Sequence, residues 1–233
     1  MLPDAALLAG GLATRLQGLA KDTPKAMLEV GGRPFIDWQL EQVAAQGVKK
    51  VVLCLGHLAQ AIEGHVGDGK RWGLQVRYSY DGPKALGTGG ALKQALPLLG
   101  DPFFVLYADS WLQAPWKEMD AAYAHGDCQG VMSVLRNQGL WDKSNVKFQD
   151  GWVKAYDKKQ PGADFDCIDY GLNLFSHAAF AQLDKDSFDL GELQSLLAAK
   201  GSLRGVEATE RFYEIGNPEA LAETRAHLTR RTA

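Results

Sequence analysis

An apolar run, Ala5 to Leu8, breaks off at the pair Gly10-Gly11, and the stretch that follows carries Arg15 and then Pro24-Lys25. A strand that ends in adjacent glycines exposes backbone N–H groups and lets a ligand approach the main chain closely. A guanidinium fork and a mobile ammonium placed just beyond it suit phosphate oxygens. The pattern lacks the Gly-Lys-Ser/Thr of a P-loop, and it is not a GxGxxG dinucleotide fingerprint. Alone, a glycine pair after a strand is ordinary turn chemistry; with both cations it predicts a polyphosphate site.

The rest of the chain alternates between strand and helix patterns. Lys50–Leu55 (KVVLCL) is a continuous apolar run, expected of a strand buried on both faces. Pro34 opens a helical pattern through Phe35, Ile36, Trp38, Leu40 and Val43 that Gly47 stops. A shorter helix is expected over 57–66, an alternating strand over 74–80, a helix running to Leu99 and a buried strand over 102–106. Further strands are expected over 130–135, 145–148, 152–156 and 203–206, with Asp150-Gly151 marking a hairpin and a helix over 190–199. This order predicts an α/β fold with βαβ units and a mostly parallel sheet.

Charge and cysteine content exclude several classes. Net charge is −3, from 25 basic and 28 acidic residues, so no electrostatic footprint for nucleic acid or an anionic membrane exists. Cys54, Cys128 and Cys167 are odd in number and widely spaced, which supports neither a disulfide framework nor a thiolate metal site. The five histidines lack ligand spacing, no Ser/His/Asp grouping stands out, and the tryptophans read as core or rim. No basic leader precedes the first apolar run, and no apolar run reaches membrane-spanning length. A cytoplasmic protein is expected.

LAGGLATRL followed by TPKAMLEVGGRPFIDW resembles the signature of sugar-1-phosphate nucleotidyltransferases, LAGGxGTRLxPLTxxxPKPMxxVxGKP, with Ala13 and Ala26 where that family has glycine and proline. Leu86-Gly87-Thr88-Gly89-Gly90-Ala91-Leu92 is similar to the family's LGTxGAL segment over the nucleobase, and Tyr107-Ala108-Asp109 to its strand-end aspartate that holds Mg²⁺. Asp157-Lys158 resembles the family's FxEKP element, Ile168–Phe175 its NxGxYxF strand, and Arg211–Glu219 its WxDIGTPE segment, where Glu214 stands for the metal-binding aspartate. Read without the family, these are turns, caps and solvated charges.

The resemblance implies a Rossmann-like nucleotidyltransferase fold, a mostly parallel mixed central sheet flanked by helices, as one catalytic domain over residues 1–233 without the C-terminal β-helix of longer members. It implies transfer of a nucleotidyl group from a nucleoside triphosphate to a sugar 1-phosphate, with Mg²⁺ as cofactor. The implied catalytic residues are Arg15 and Lys25. The nucleotide would lie on Leu8, Ala9, Gly10, Gly11, Thr14, Arg15, Gly87, Thr88 and Gly89. The sugar phosphate would meet Asp157, Lys158, Tyr170, Gly171 and Asn173, and the metal Asp109 and Glu214. The similarity leans toward manno-heptose-1-phosphate guanylyltransferases and surface-polysaccharide precursors. A phosphocholine cytidylyltransferase and a non-catalytic nucleotide-sugar-binding regulator are the alternatives, and self-association is left open.

Overall fold

The computed structural model describes residues 1–11 and 23–232. In chain order its strands are β1 (Asp4–Leu8), β2 (Glu29–Val30), β3 (Arg33–Pro34), β4 (Lys50–Leu55), β5 (Gln75–Tyr80), β6 (Phe103–Tyr107), β7 (Ser110–Trp111), β8 (Gly130–Arg136), β9 (Val146–Gln149), β10 (Trp152–Tyr156), β11 (Cys167–Phe175), β12 (Leu203–Ala208) and β13 (Tyr213–Glu214). The α-helices are α1 (Phe35–Ala45), α2 (Ala59–Val66), α3 (Gly87–Ala95), α4 (Trp116–Tyr123), α5 (His177–Phe180), α6 (Leu190–Ala199) and α7 (Pro218–Thr232).

Nine strands form one mixed sheet in the order β5-β4-β1-β6-β11-β8-β12-β10-β9. The limb β5-β4-β1-β6 is parallel throughout. β11 runs antiparallel to both β6 and β8, and β8 and β12 are again parallel. The apolar run of β4 is buried from Val51 to Leu55, as a strand covered on both faces requires. Alternate residues serve two cores. Ala5, Leu7, Leu53 and Leu106 pack with Ile36, Leu40, Ile62 and Met119 on one face. Ala6, Val52, Phe103 and Val105 pack with Leu92, Phe180, Leu193 and Leu197 on the other.

Helix α4 has no counterpart among the expected elements. It starts after Pro115 without a side-chain cap and buries only Trp116 and Met119, so its own sequence signal is weak. Tertiary packing holds it: the Trp116 ring lies 4.7 Å from that of Phe104. The helix expected to run to Leu99 ends as α-helix at Ala95 and tightens into a 3₁₀ turn over Leu96–Leu98, where Pro97 interrupts the bonding. A third cluster, Leu28, Val30, Phe35, Trp38, Trp111, Ile215, Leu221 and Leu228, fastens α7 over the small sheets β2–β3 and β13–β7.

Chain order sets where a ligand can lie. From β1 the chain steps outward to β4 and β5, then returns to place β6 on the other flank of β1. The carboxyl ends of β1 and β6 therefore open a crevice at the switch point. Among the described residues, no helix is long and apolar enough to cross a membrane.

Candidate active site

At that crevice β1 ends in Gly10-Gly11 and β6 in Tyr107-Ala108-Asp109, the two tips joined by Ala108 N–H donating to Leu8 O at 3.1 Å. On the other flank Ala9 N–H donates to Cys54 O at 2.9 Å. A Cβ on Gly10 would stand 3.1 Å from the Gly56 nitrogen, so a larger residue there would need the neighbouring turn to give by a few tenths of an ångström. Lys25 leads a 3₁₀ turn behind Pro24, and its Nζ reaches Asp109 Oδ2 at 2.6 Å across 84 residues of sequence. The two residues first assigned from separate motifs thus share one cleft, of about 740 Å³.

Asp109 is held on three sides. Its Oδ1 accepts from the Ser110 hydroxyl at 3.1 Å, and its carbonyl accepts from Ile215 N–H at 3.0 Å. The amides of Gln39 and Gln42, on the inward side of α1, donate to Ser110 O and Leu112 O. Gln39 is fully buried. Neither glutamine carried a sequence signal, since a polar residue in a helix reads as solvent-facing until the fold is known.

Leu8, Ala9, Gly10, Gly11, Gly87, Thr88, Lys25 and Asp109 all border the cleft. Thr14 and Arg15 lie outside the described residues, as does Ala13. Gly89 faces the Phe188 ring, which a Cβ there would meet at 2.1 Å. Gly87, at φ +73°, lies against Phe188 O, and the N–H groups of Gly89 and Gly90 both donate to that same carbonyl. The glycines of this segment thus serve close packing on the 186–189 loop, while the first turn of α3 borders the cleft. The Thr88 hydroxyl accepts from Leu190 N–H at 2.8 Å, which ties that turn to the start of α6.

The acceptor-side candidates divide. Lys158 does not itself border the cleft, but its Nζ lies 5.5 Å from the ring centroid of Tyr107, which does. Asp157 folds back on its own turn: Oδ1 accepts from Lys159 N–H at 2.7 Å and Gln160 N–H at 3.0 Å, bonds that hold its carboxyl below the usual range. Gly171 has φ +107° at the irregular register between β11 and β8, a conformation that favours glycine. Tyr170 is buried. Its phenol oxygen accepts from Gln113 N–H at 3.1 Å and donates to Arg211 O, and burial pushes its pKa up to about 12. Asn173 is fully buried and its Oδ1 accepts from Gln194 Nε2 at 3.1 Å.

The same Gln194 amide donates to Asp169 Oδ2 at 2.9 Å, and Asp169 Oδ1 accepts from Gly171 N–H at 3.0 Å. Asp169 is therefore the acid that β11 orients. Aligning Gly171 with the family's glycine puts Asp169 where that family carries asparagine, so this residue was findable from the sequence. Burial, with Asp169, Asp189 and Asp109 nearby, raises the Tyr107 phenol well above its ordinary pKa and keeps it a neutral donor. The Asn173 amide nitrogen, Gln194 Oε1 and the Tyr156 hydroxyl have no hydrogen-bond partner among the described residues.

Glu214 pairs with Ser110 across β13–β7, one residue from Asp109. Its carboxyl would lie 3.2 Å from a Cβ on Gly216, so the glycine leaves that acid room. No group of three acid, histidine or cysteine side chains able to hold a metal occurs among the described residues. Two carboxylates on adjoining backbone suit a hard cation that keeps waters and takes its remaining oxygens from phosphates. Such an ion must share Asp109 with Lys25 or displace it.

A family model described as nucleotidyl transferase matches residues 4–139. The chain belongs to this family. It is 32% identical to the N-acetylmuramate alpha-1-phosphate uridylyltransferase of Caulobacter vibrioides, with 96% of each chain covered. It is 35% identical to the D-glycero-alpha-D-manno-heptose 1-phosphate guanylyltransferase of Campylobacter jejuni, covering 92% of this chain and 95% of the relative. Among solved structures, HddC from Yersinia pseudotuberculosis complexed with GMP-PN superimposes with a TM-score of 0.79 at 25% identity, covering 97% of this nucleotidyltransferase and 100% of that chain. The expected nucleotidyltransferase fold is the observed one, with a mixed sheet whose parallel pairings are confined to β5-β4-β1-β6 and β8-β12 rather than a mostly parallel one.

Proposed function

We propose that this nucleotidyltransferase couples a nucleoside triphosphate to a sugar 1-phosphate, releasing pyrophosphate and an NDP-sugar. GDP-manno-heptose, or a related activated sugar for surface polysaccharide, is the product we assign. The observation that carries the reading is the meeting of Lys25 and Asp109, at 2.6 Å, beside Gly10-Gly11 in one cleft. The relatives bearing uridylyl and guanylyl activities toward sugar 1-phosphates support it. We assign the chemistry to a single catalytic domain in the cytoplasm; the sheet, which draws strands from Asp4 to Ala208, supports the single domain.

Charge dictates the mechanism. A sugar phosphate oxygen attacks the α-phosphorus in line, the bond to the β-phosphate oxygen breaks, and pyrophosphate leaves. No protein nucleophile is required; positioning and charge stabilisation carry the barrier. Lys25 is assigned to the α-phosphate and the incoming phosphate, and Arg15 to the departing pyrophosphate. Lys158 and Asp169 are assigned to the acceptor, the ammonium toward phosphate and the carboxylate toward a sugar hydroxyl. Asp109 and Glu214 are the residues to hold Mg²⁺, which when bound supplies neutralising charge to the reacting phosphates.

Acids around Tyr107 and Tyr156 give one observation in favour of phosphocholine as acceptor. Against it, the Lys158 ammonium occupies the aromatic face that a quaternary ammonium would need. A screen for pyrophosphate release with Mg²⁺, the nucleoside triphosphates, a panel of sugar 1-phosphates and phosphocholine tests these readings together. Release with a sugar 1-phosphate is expected. Release only with phosphocholine overturns the sugar assignment, and nucleotide-sugar binding without release across the panel favours a regulator.

A further inference from the structure

Two carboxylates stand on the acceptor side of the cleft with no cation of their own. Asp169, on β11, accepts from Gly171 N–H and from the Gln194 amide. Asp189 caps α6, its Oδ1 accepting from Gly191 N–H at 2.8 Å. Its Oδ2 accepts from the hydroxyl of Thr88 at 3.4 Å, and Thr88 borders the cleft. Neither acid forms a salt bridge among the described residues, whereas Asp109 has Lys25 at 2.6 Å. All three stand near enough to the Tyr107 phenol, in the cleft wall, to act on it through their charge.

A second observation marks the space beside these acids as a place for a ligand. Tyr156 is only 4% exposed, and its hydroxyl has no hydrogen-bond partner among the described residues. A buried hydroxyl left unpaired is costly. From the point where a Cβ on Gly191 would stand, Asp189 Oδ1 lies 2.9 Å away and the Tyr156 oxygen 3.9 Å, so that hydroxyl and that carboxylate flank one spot. Burial, with Asp169 and Asp189 nearby, raises the Tyr156 pKa and keeps the phenol neutral.

We propose that Asp189, together with Asp169, restricts the acceptor to sugar 1-phosphates that carry no second anionic group; the inference rests on the nucleotidyl-transfer reading above. An ionised carboxylate only accepts hydrogen bonds, so it suits the hydroxyl donors of a neutral sugar. The acceptor's own phosphate has Lys158 and Lys25 to meet. A carboxylate elsewhere on the sugar would face two like charges with no cation to offset them, where a hydroxyl in its place would donate to one of them. Uronates and ether-linked lactyl acids are thereby excluded. Neutral hexoses, heptoses and N-acetylhexosamines are admitted.

Steady-state pyrophosphate release by the whole protein, with Mg²⁺ and the nucleoside triphosphates, tests this on matched pairs. These are mannose against mannuronate 1-phosphate, glucose against glucuronate 1-phosphate, and N-acetylglucosamine against N-acetylmuramate 1-phosphate, with manno-heptose 1-phosphate alongside. A compound that is not turned over is measured as a competitor of the one turned over fastest. The neutral member of each pair should be favoured at least about 10-fold in kcat/KM or in inhibition constant, the scale of a partly screened like-charge contact. Asp189→Asn should shrink that ratio several-fold. Asparagine caps a helix as well as aspartate does, so the variant keeps α6, and a purely structural role would weaken both members of a pair alike. An acidic member that matches or outranks its neutral partner in the wild type overturns the proposal, as does an Asp189→Asn variant that keeps the ratio. Those outcomes leave nucleotidyl transfer standing, whereas release with no sugar 1-phosphate at all removes that reading and the proposal together.

Discussion

The parallel limb β5-β4-β1-β6 and the antiparallel limb around β11 make their halves of the cleft by different means. The first offers backbone at Gly10-Gly11 and a few charges, Lys25, Asp109 and Asp81, each at or near a strand tip. The second offers side chains cross-linked behind the wall: Gln194 bridges Asp169 and Asn173, and Tyr170 pins Gln113 to Arg211. A polyphosphate is the same in every substrate, so bare main chain and fixed cations suffice for it. An acceptor differs between enzymes, and a network of interlocked side chains is the part that substitutions can retune.

The comparison breaks most directly at its charged centre. Lys25→Met should lower turnover about 100-fold or more while the protein stays folded, the scale of removing one group that stabilises transition-state charge. Steady-state pyrophosphate release beside a thermal melt measures both. A smaller loss there than in acceptor-side variants would invert the contrast.

Next in size is the buried bridge. Gln194→Leu strips the donor from Asp169 and Asn173, and should cost about 1–3 kcal/mol in urea unfolding. It should raise KM for the sugar phosphate with KM for the nucleotide little changed; equal effects on both would show that the two limbs are not separable. Gly87→Ala tests the opposite limb. The residue sits at φ +73° with a Cβ position 2.5 Å from Phe188 O, so a loss of about 1–2 kcal/mol in the same unfolding assay is expected, with a weakened nucleotide KM.

The smallest effect lies where the small sheets join the limbs. His227 stacks on Tyr213 at 3.8 Å, and burial with Arg231, Arg211 and Arg230 nearby lowers its pKa in the folded protein. The unfolded chain then takes up the proton first, so stability should fall as pH drops below about 6.5. His227→Gln should flatten that part of a melting-temperature profile.

Legibility followed the same divide. The bounds of β4, β10 and α6 coincide with the patterns over 50–55, 152–156 and 190–199, because apolar runs and amphipathic spacing are local signals. Lys25 and Asp109 were readable because each stands beside a glycine, proline or strand end that marks it. Gln194 and Gln39 were not, since nothing local separates a buried amide from a surface one. Asn173 and Tyr170 were drawn into the acceptor set by their strand, yet the fold turns them into its interior. The register of β11 on β8 shifts by two residues around Gly171, which keeps its alternation: Ile168, Tyr170, Leu172 and Leu174 serve one core, and Cys167 and Phe175 the other. The helix α4 escaped because its anchors meet partners only in three dimensions.

The contact between Lys25 and Asp109 has one further consequence. An anion arriving alone finds the ammonium already satisfied and must break that bond to be welcomed. In the proposed reaction a phosphate chain bound with a divalent ion would offer Lys25 a phosphate and Asp109 a cation in exchange for the bond between them.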